Sequence, residues 1–230
     1  MKKHIALFII SIICFTPCLS QEEELIKKEV DSLYREDQFY IGLTYNILTE
    51  RNTGLNSKGF SGGLQVGFLR DFPLNKRRNF AIAIGGGYAF NKYGSNLQVS
   101  EIDNQTHFSI IAGDIDYDTN RFVMHEVEVP LEIRWRTSTP EEYKFWRIYG
   151  GIKLGYVFSH AATYKERDTY RVSNIAELNT LRYTAFLNFG WNTFNFQVQY
   201  ALTPFFENAF LNDQPLDIST IKVGLMFYIL

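Results

Sequence analysis

Cysteine is nearly absent from the 230-residue sequence. Its only two cysteines, Cys14 and Cys18, lie close to the N-terminus, within a segment that we predict to be an export signal over residues 1–20. Removal of that signal leaves a chain without a thiol. Such a chain cannot form disulfides, thiolate zinc sites, iron–sulfur clusters or a cysteine nucleophile.

Three consecutive features indicate the export signal. Lys2 and Lys3 supply positive charge, residues 5–15 form an apolar run too short to span a bilayer well, and residues 16–20 form a small or polar cleavage zone. We expect cleavage after Ser20.

Long hydrophobic runs and an excess of positive charge are also lacking. The sequence is 46% hydrophobic and 16% aromatic, yet its mean hydropathy is -0.15. The apolar residues are therefore spread out, and do not form the runs of about 18 residues that helical membrane spans need. Without Lys2 and Lys3, the 23 Lys and Arg residues fall to 21, against 25 Asp and Glu. A mildly acidic chain with no basic stripe is not expected to bind nucleic acid.

Residues 22–38 differ in composition from the rest of the chain. They are dense in charge and free of Gly and Pro, and their apolar residues lie near helical spacing. This pattern predicts a short amphipathic helix, and we assign residues 21–38 to a periplasmic N-terminal helix. Two interpretations stay open: a solvated leader helix, or a docking element or plug at one mouth of the following domain.

From residue 39 onward, apolar residues recur at every second position. Eight segments of roughly ten residues have this pattern, the length that a tilted strand needs to cross a membrane. They cover residues 39–47, 64–68, 80–90, 123–135, 146–158, 181–191, 194–202 and 221–229. The pattern predicts an all-β fold: an eight-stranded antiparallel up-and-down transmembrane β-barrel over residues 39–230.

The connections between these segments alternate in length, as in outer-membrane barrels, where the short turns are periplasmic. The short ones cover residues 71–79, 137–144 and 192–193, and the long ones 49–59, 91–121, 160–180 and 203–217. We therefore expect a barrel in the outer membrane of a Gram-negative bacterium, with both termini in the periplasm and one long extracellular excursion at 91–121.

Alternation alone does not say which face meets lipid, because a soluble eight-stranded barrel has the same period with its apolar face inside. Aromatic residues at the two ends of the segments favour the membrane barrel, since such rings prefer the headgroup level. At the short-turn (periplasmic) end the predicted girdle is Phe39, Phe80, Trp135, Trp146, Trp191 and Phe227. At the long-loop end it is Tyr45, Phe60, Tyr88, Phe90, Phe122, Phe158, Tyr183 and Tyr200.

The opposite face of the segments has nine charged residues, which we predict to form a charge network in the lumen. They are Glu126, Glu128, Glu132, Arg134, Arg136, Arg147, Lys153, Arg182 and Lys222. Buried charges must be paired. The network is therefore interpreted either as a structural plug of ion pairs or as a narrow charged pore or gate.

The sequence offers little for catalysis, metals or cofactors. The three histidines after the signal, His107, His125 and His160, form no pattern of a nucleophile with its base, and no glycine-rich phosphate loop is present. The acidic run over 114–120 begins like a calcium loop but lacks its glycine and final glutamate. We expect no enzymatic activity, no metal and no cofactor.

Pro130 lies inside the fourth segment, where it removes a backbone donor. The alternation continues through it, so we expect no bulge at that position but a local weakness in the ladder beside it.

Two stretches resemble a known family. Residues 61–91, SGGLQVGFLRDFPLNKRRNFAIAIGGGYAFN, and residues 127–157, VEVPLEIRWRTSTPEEYKFWRIYGGIKLGYV, resemble the PorT-type outer-membrane β-barrel proteins, a branch of a porin-like barrel family. The resemblance implies a non-enzymatic component of the type IX secretion system. That system exports proteins with C-terminal sorting domains and supports surface motility in gliding bacteria. The family implies no catalytic residues.

The partners expected from this resemblance are outer-membrane lipid and other type IX secretion proteins. Two alternatives stay open: a free-standing porin-like barrel that passes or binds small solutes, and a surface adhesion or ligand-binding barrel that uses the 91–121 loop.

Overall fold

The computed structural model describes residues 36–50, 54–103, 105–137 and 145–229. In these ranges the chain forms thirteen strands. They are β1 (Gln38–Glu50), β2 (Gly62–Pro73), β3 (Phe80–Gly94), β4 (Leu97–Ile102), β5 (Gln105–Ile110), β6 (Thr119–Arg136), β7 (Trp146–Lys165), β8 (Thr169–Val172), β9 (Leu181–Trp191), β10 (Phe194–Ala201), β11 (Phe210–Leu211), β12 (Gln214–Pro215) and β13 (Ile218–Ile229).

Eight of these strands form a closed antiparallel barrel. Their order in the sheet is β6-β3-β2-β1-β13-β10-β9-β7, and pairing between β6 and β7 closes the ring. Each barrel strand therefore pairs with the barrel strands before and after it in sequence, and β1 pairs with β13. The predicted eight-stranded up-and-down barrel is confirmed.

The barrel has its apolar face outside. On β6, burial alternates at almost every position, and the outward side chains of Val127, Val129, Leu131 and Ile133 are 43 to 66% exposed. A soluble protein would bury these side chains, whereas a lipid environment solvates them. Among the described residues, no helix has the length and apolarity to span a bilayer.

The N-terminal boundary differs from the prediction. The expected signal at 1–20, and the expected helix as far as residue 35, lie outside the described residues. The last three residues of that helix are described and are not helical: Glu36 and Asp37 lead into β1, and Gln38 is its first residue. Glu36 points inward and contacts the inner wall of the barrel. These contacts favour an extended chain here over a further helical turn.

The long excursion at 91–121 is mostly strand. β3 continues to Gly94, β6 begins at Thr119, and between them β4 and β5 pair as a hairpin. Apolar alternation in β4 ends after Val99, because Glu101 takes the next position on that face, and a run this short gives no strand signal.

The long-loop end is closed by an apolar cap, which the sequence did not predict. The cap combines inward residues of the barrel with residues of the loops that follow β3, β7 and β10. Its buried members are Tyr93, Leu97, Val99, Phe122, Met124, Val157, Ala162, Val172, Ile175, Leu178, Phe205, Phe206, Ala209, Leu211, Leu216 and Ile218. The assignment of Phe122 to the outer aromatic girdle is therefore wrong: it is 8% exposed and packs edge-on against Phe205.

The predicted weakness beside Pro130 lies on its β3 side. The β3–β6 ladder is interrupted between the pairs Ile84↔Leu131 and Gly87↔Glu128, while Pro130 keeps its pairing with Lys153 on β7. No register shift occurs at Pro130, as expected. The shift in this pair of strands lies beyond it, between His125 and Glu126, and makes Phe158 of β7 an extra residue.

A matched pair of glycines tests this interrupted region. A Cβ built on Gly85 would lie 1.9 Å from the Phe68 carbonyl oxygen, whereas one on Gly86 would meet nothing within 4 Å. We expect Gly85→Ala to lower the free energy of unfolding by about 1–3 kcal/mol and Gly86→Ala to change it by less than about 0.5 kcal/mol. Urea unfolding in lipid vesicles, followed by tryptophan fluorescence, measures both. Equal losses of stability in the two variants would contradict the difference in space around Gly85 and Gly86.

Candidate functional site in the barrel interior

All nine charged residues expected in the lumen lie inside the barrel. Each is between 0 and 4% exposed. They come from strands β6, β7, β9 and β13, on the face opposite the apolar side chains. Their arrangement has two charged levels below the apolar cap, which we call the lower level, near the short turns, and the middle level. Whether the network acts as a plug or a gate stays a prediction.

The lower level is organised by Asp71 of β2. Its Oδ1 accepts hydrogen bonds from Nη1 of Arg134 at 3.0 Å and from Nη1 of Arg136 at 2.9 Å, and its Oδ2 accepts from Nη2 of Arg136 at 2.8 Å. The side chains of all three residues are 0% exposed. One carboxylate therefore neutralises parts of two guanidinium groups, in the forked geometry that gives arginine pairs their strength.

Two further carboxylates complete this level. Nε of Arg134 donates to Oε2 of Glu132 at 2.8 Å, and Nη1 of Arg136 lies 3.6 Å from Oε2 of Glu36. Nη1 of Arg134 also donates to the backbone carbonyl of Glu36 at 3.2 Å. These contacts tie the segment before β1 to the inner wall of β6.

Arg147 is held differently. Its guanidinium carbon lies 4.5 Å from the ring centre of Phe145 and 5.5 Å from that of Tyr228. Its Nε and Nη1 have no hydrogen-bond partner among the described residues. Aromatic faces stabilise a cation through their quadrupoles, so these rings take the place of a carboxylate in this part of the lumen.

The middle level contains a second ion pair and an amide network. Nζ of Lys153 lies 3.2 Å from Oε2 of Glu128 and donates to Oε1 of Gln65 at 2.7 Å. Gln199 donates to the same Gln65 oxygen at 3.2 Å. Four strands therefore meet around one ammonium group.

Above this pair, Glu126 accepts a hydrogen bond from an amide side chain. Its Oε1 accepts from Nδ2 of Asn91 at 3.0 Å, and Asn91 accepts from Asn46 at 3.2 Å. Arg182 of β9 places its guanidinium carbon 5.1 Å from the ring centre of Phe205, a member of the cap. The charged levels and the apolar cap are therefore in direct contact.

Asp71 and Glu36 were not predicted as lumen residues. The sequence predicts a short turn over residues 71–79, which begins at Asp71, yet β2 extends to Pro73. The alternation of β2 could have found it, since Leu64, Val66 and Phe68 point outward and odd-numbered positions point inward. With these two acids, the buried charged residues of the described chain are six basic and five acidic. The interior is therefore almost neutral.

The predicted girdle at the short-turn end lies on the outer face. Phe39, Phe80, Trp146 and Trp191 are 45 to 62% exposed, and Trp135 and Phe227 are partly exposed. Cross-strand pairing joins Trp146 with Trp191 and Phe80 with Trp135 at matching levels. Their role as headgroup anchors stays a prediction.

The described residues offer no catalytic or metal centre of a familiar kind. No group of three or more His, Cys, Asp or Glu in the described chain could hold a metal ion. His125 shares a hydrogen bond of 2.7 Å with the Tyr88 hydroxyl on the outer face, and His160 accepts from the backbone N–H of Ile175 at 3.0 Å. The two imidazoles have separate structural partners.

This architecture agrees with a match to a family model. The model for the outer membrane protein beta-barrel domain matches residues 20–207. The chain belongs to this family. Membership in the outer membrane protein beta-barrel domain family, together with the apolar outer face, places the protein in an outer membrane and in contact with its lipid.

Comparisons with individual proteins add little to the family assignment. No curated protein matches the chain. Among solved structures, the chain is similar to Ail, the attachment invasion locus protein of Yersinia pestis, at 14% identity and a TM-score of 0.40, covering 86% of this chain and 100% of Ail. A second structure of Ail, in complex with the heparin analogue sucrose octasulfate, gives 14% identity and a TM-score of 0.39 over the same shares. Likeness at this level transfers no function.

The shared carboxylate of Asp71 provides a test of the lower level. We expect Asp71→Asn to lower the free energy of unfolding by about 3–5 kcal/mol, because it leaves two buried guanidinium groups without their common partner. The control is Lys165→Gln, which removes an exposed ion pair with Asp118 at 2.7 Å and should cost at most about 1 kcal/mol. Urea unfolding in vesicles compares the two. Similar losses would mean that Asp71 does not organise the interior.

Proposed function

We propose that this protein is a closed, non-enzymatic outer-membrane barrel that acts through its two ends. The observation that supports this most directly is the interior of the barrel, where eleven buried charged side chains, several of them ion-paired, lie below an apolar cap. A cavity remaining within the cap, beside Tyr93 and Phe206, has a volume of about 20 Å³, which is room for about one water molecule. An eight-stranded barrel whose lumen is filled in this way has no space for a solute to pass.

Conductance tests the closed interior. We expect the purified protein in a planar lipid bilayer to show no steady open level at moderate voltage, because both the ion pairs and the cap would have to separate. A small outer-membrane porin, reconstituted in the same way, is the positive control. A reproducible open level of fixed conductance would instead support solute passage through the barrel.

We propose further that the protein is an accessory component of type IX secretion, with its short turns and both termini in the periplasm. The support is the resemblance of residues 61–91 and 127–157 to PorT-type proteins. The first stretch forms the β2–β3 hairpin and contains Asp71, and the second includes parts of β6 and β7 with Glu128, Glu132, Arg134, Arg136, Arg147 and Lys153. The resemblance therefore includes much of the interior network together with the turns that would face periplasmic partners. The role requires neither a cofactor nor catalysis.

Deletion of the gene tests the secretion role. We expect proteins with C-terminal sorting domains to accumulate in the periplasm of the deletion strain, and to reach the surface again when the full-length gene is restored. Surface levels of an unrelated outer-membrane barrel control for general damage to the membrane. Normal export of such cargo in the deletion strain would contradict the secretion role and leave the closed barrel unaffected.

A ligand-binding role is the second candidate, favoured by one observation. The long-loop end has a polar cleft of about 770 Å³ between the β4–β5 hairpin and the loops after β8 and β11, with Glu177, Asp213 and Phe210 among its walls. Complementation with Glu177→Gln and Asp213→Asn together distinguishes the two roles. Full restoration of export by this variant would mean that secretion does not need these two carboxylates of the cleft.

A further inference from the structure

The outer wall of the barrel has a basic pocket that the functions above do not use. It has a volume of about 270 Å³ and lies across strands β3, β6 and β7, close to β8. Its polar walls include three cations, an imidazole and two hydroxyls. These are Lys92, Arg121, Arg171, His125, Ser159 and Thr163.

The strand register brings these residues together. Arg121 of β6 pairs with Thr163 of β7, which pairs with Arg171 of β8. One row lower, Lys92 of β3 pairs with Val123 of β6. Since paired residues on neighbouring strands lie side by side on one face of the sheet, the three cations come from three strands but share one patch.

The bulge in β7 supplies one of the hydroxyls. Because Phe158 is an extra residue, Phe158 and Ser159 are both exposed although they are consecutive. Without the bulge, Ser159 would point into the barrel. The bulge therefore places a hydrogen-bond donor on the outer wall beside His125, its partner in the ladder.

The charge of the pocket is not neutralised by its surroundings. None of its lining residues is acidic, and no carboxylate of the described chain lies within ion-pair distance of Lys92, Arg121 or Arg171. The exposed Asp118 nearby is paired with Lys165 at 2.7 Å. Three uncompensated cations on one patch attract a multiply charged anion.

The height of the pocket places it at the edge of the lipid-facing band. Outward residues of β3 are apolar, apart from Gly86, from Phe80 to Phe90, and Lys92 is the next outward position. Ten residues at about 3.4 Å each, tilted by about 40°, rise about 26 Å. Apolar bands of outer-membrane barrels are about 25 Å tall. The cations therefore lie at the level of lipid headgroups.

We propose that this pocket binds the phosphate of a membrane lipid headgroup. Lys92, Arg121 and Arg171 neutralise the phosphate, and the hydroxyls of Ser159 and Thr163 donate hydrogen bonds to its oxygens. Phe90, Val123 and Ala161 form the apolar part of the pocket wall, which suits the first carbons of an acyl chain. A free anion has no apolar part that could contact this wall.

Lipid binding to the purified full-length chain in a non-ionic detergent tests the proposal. Native mass spectrometry measures retention of dioleoyl phosphatidic acid, of dioleoyl phosphatidylcholine with the same chains, and of inorganic phosphate. We expect clear preference for phosphatidic acid. In the variant K92Q/R121Q/R171Q, affinity for phosphatidic acid should fall about fivefold per cation, on the order of 100-fold in total.

The control variant R70Q/K76Q/R77Q removes the same charge from exposed residues at the short-turn end and should bind phosphatidic acid like the wild type. Equal losses in the two variants, or no preference of the wild type for phosphatidic acid, would overturn the proposal. Inorganic phosphate that binds as tightly as the lipid would replace it with a free-anion site. If the triple variant does not fold, the single variant Arg121→Gln, with an expected loss of about fivefold, decides in its place.

Discussion

The interior of an eight-stranded barrel is narrow, and lipid covers the outside, so polar groups of the inner face can be satisfied only by one another. The whole arrangement depends on this constraint. The carboxylate of Asp71 is the clearest example, since this one acid from β2 accepts hydrogen bonds from two guanidinium groups of β6, those of Arg134 and Arg136. Above it, Lys153 of β7 contacts side chains from two other strands, Gln65 of β2 and Glu128 of β6. Each group is expensive to bury alone and tolerable only within the set.

The same constraint explains why the two ends of the barrel are built differently. Near the short turns, charges and aromatic rings fill the lumen up to the entry of the chain at Glu36. At the other end, the long loops turn inward and contribute Phe205 and Phe206 to an apolar cap. Arg182 lies between the two, with its guanidinium against the ring of Phe205. The interior therefore grades from ionic to apolar along the barrel axis.

Much of the fold could be predicted because a period of two assigns each residue of a strand to the inner or the outer face of the barrel. Alternation in β6 assigned Glu128 to the interior and Val127 to lipid, and the structure places both accordingly. Partners across the lumen could not be predicted, because they depend on the stagger of strands distant in sequence, as in the contact between Lys153 and Gln65. Two local predictions were wrong. The predicted turn over 71–79 begins where β2 still continues, and Phe122, predicted to contact headgroups, faces inward.

The seam between β1 and β13 has a consequence for assembly. Twelve residue pairs join these two strands, from Phe39↔Ile229 to Glu50↔Ile218, so the ring closes only when residues 168 to 190 positions apart in sequence meet. Pairing of such high sequence separation is slow, because chain entropy is lost before the contacts that compensate it can form. Until β13 pairs with its neighbours, β1 and β10 each have an unpaired edge, and exposure of the apolar faces of the other seven strands to water is unfavourable. The unclosed chain is therefore prone to aggregation, and faster pairing of β13 with β1 shortens the time that the chain spends in that state.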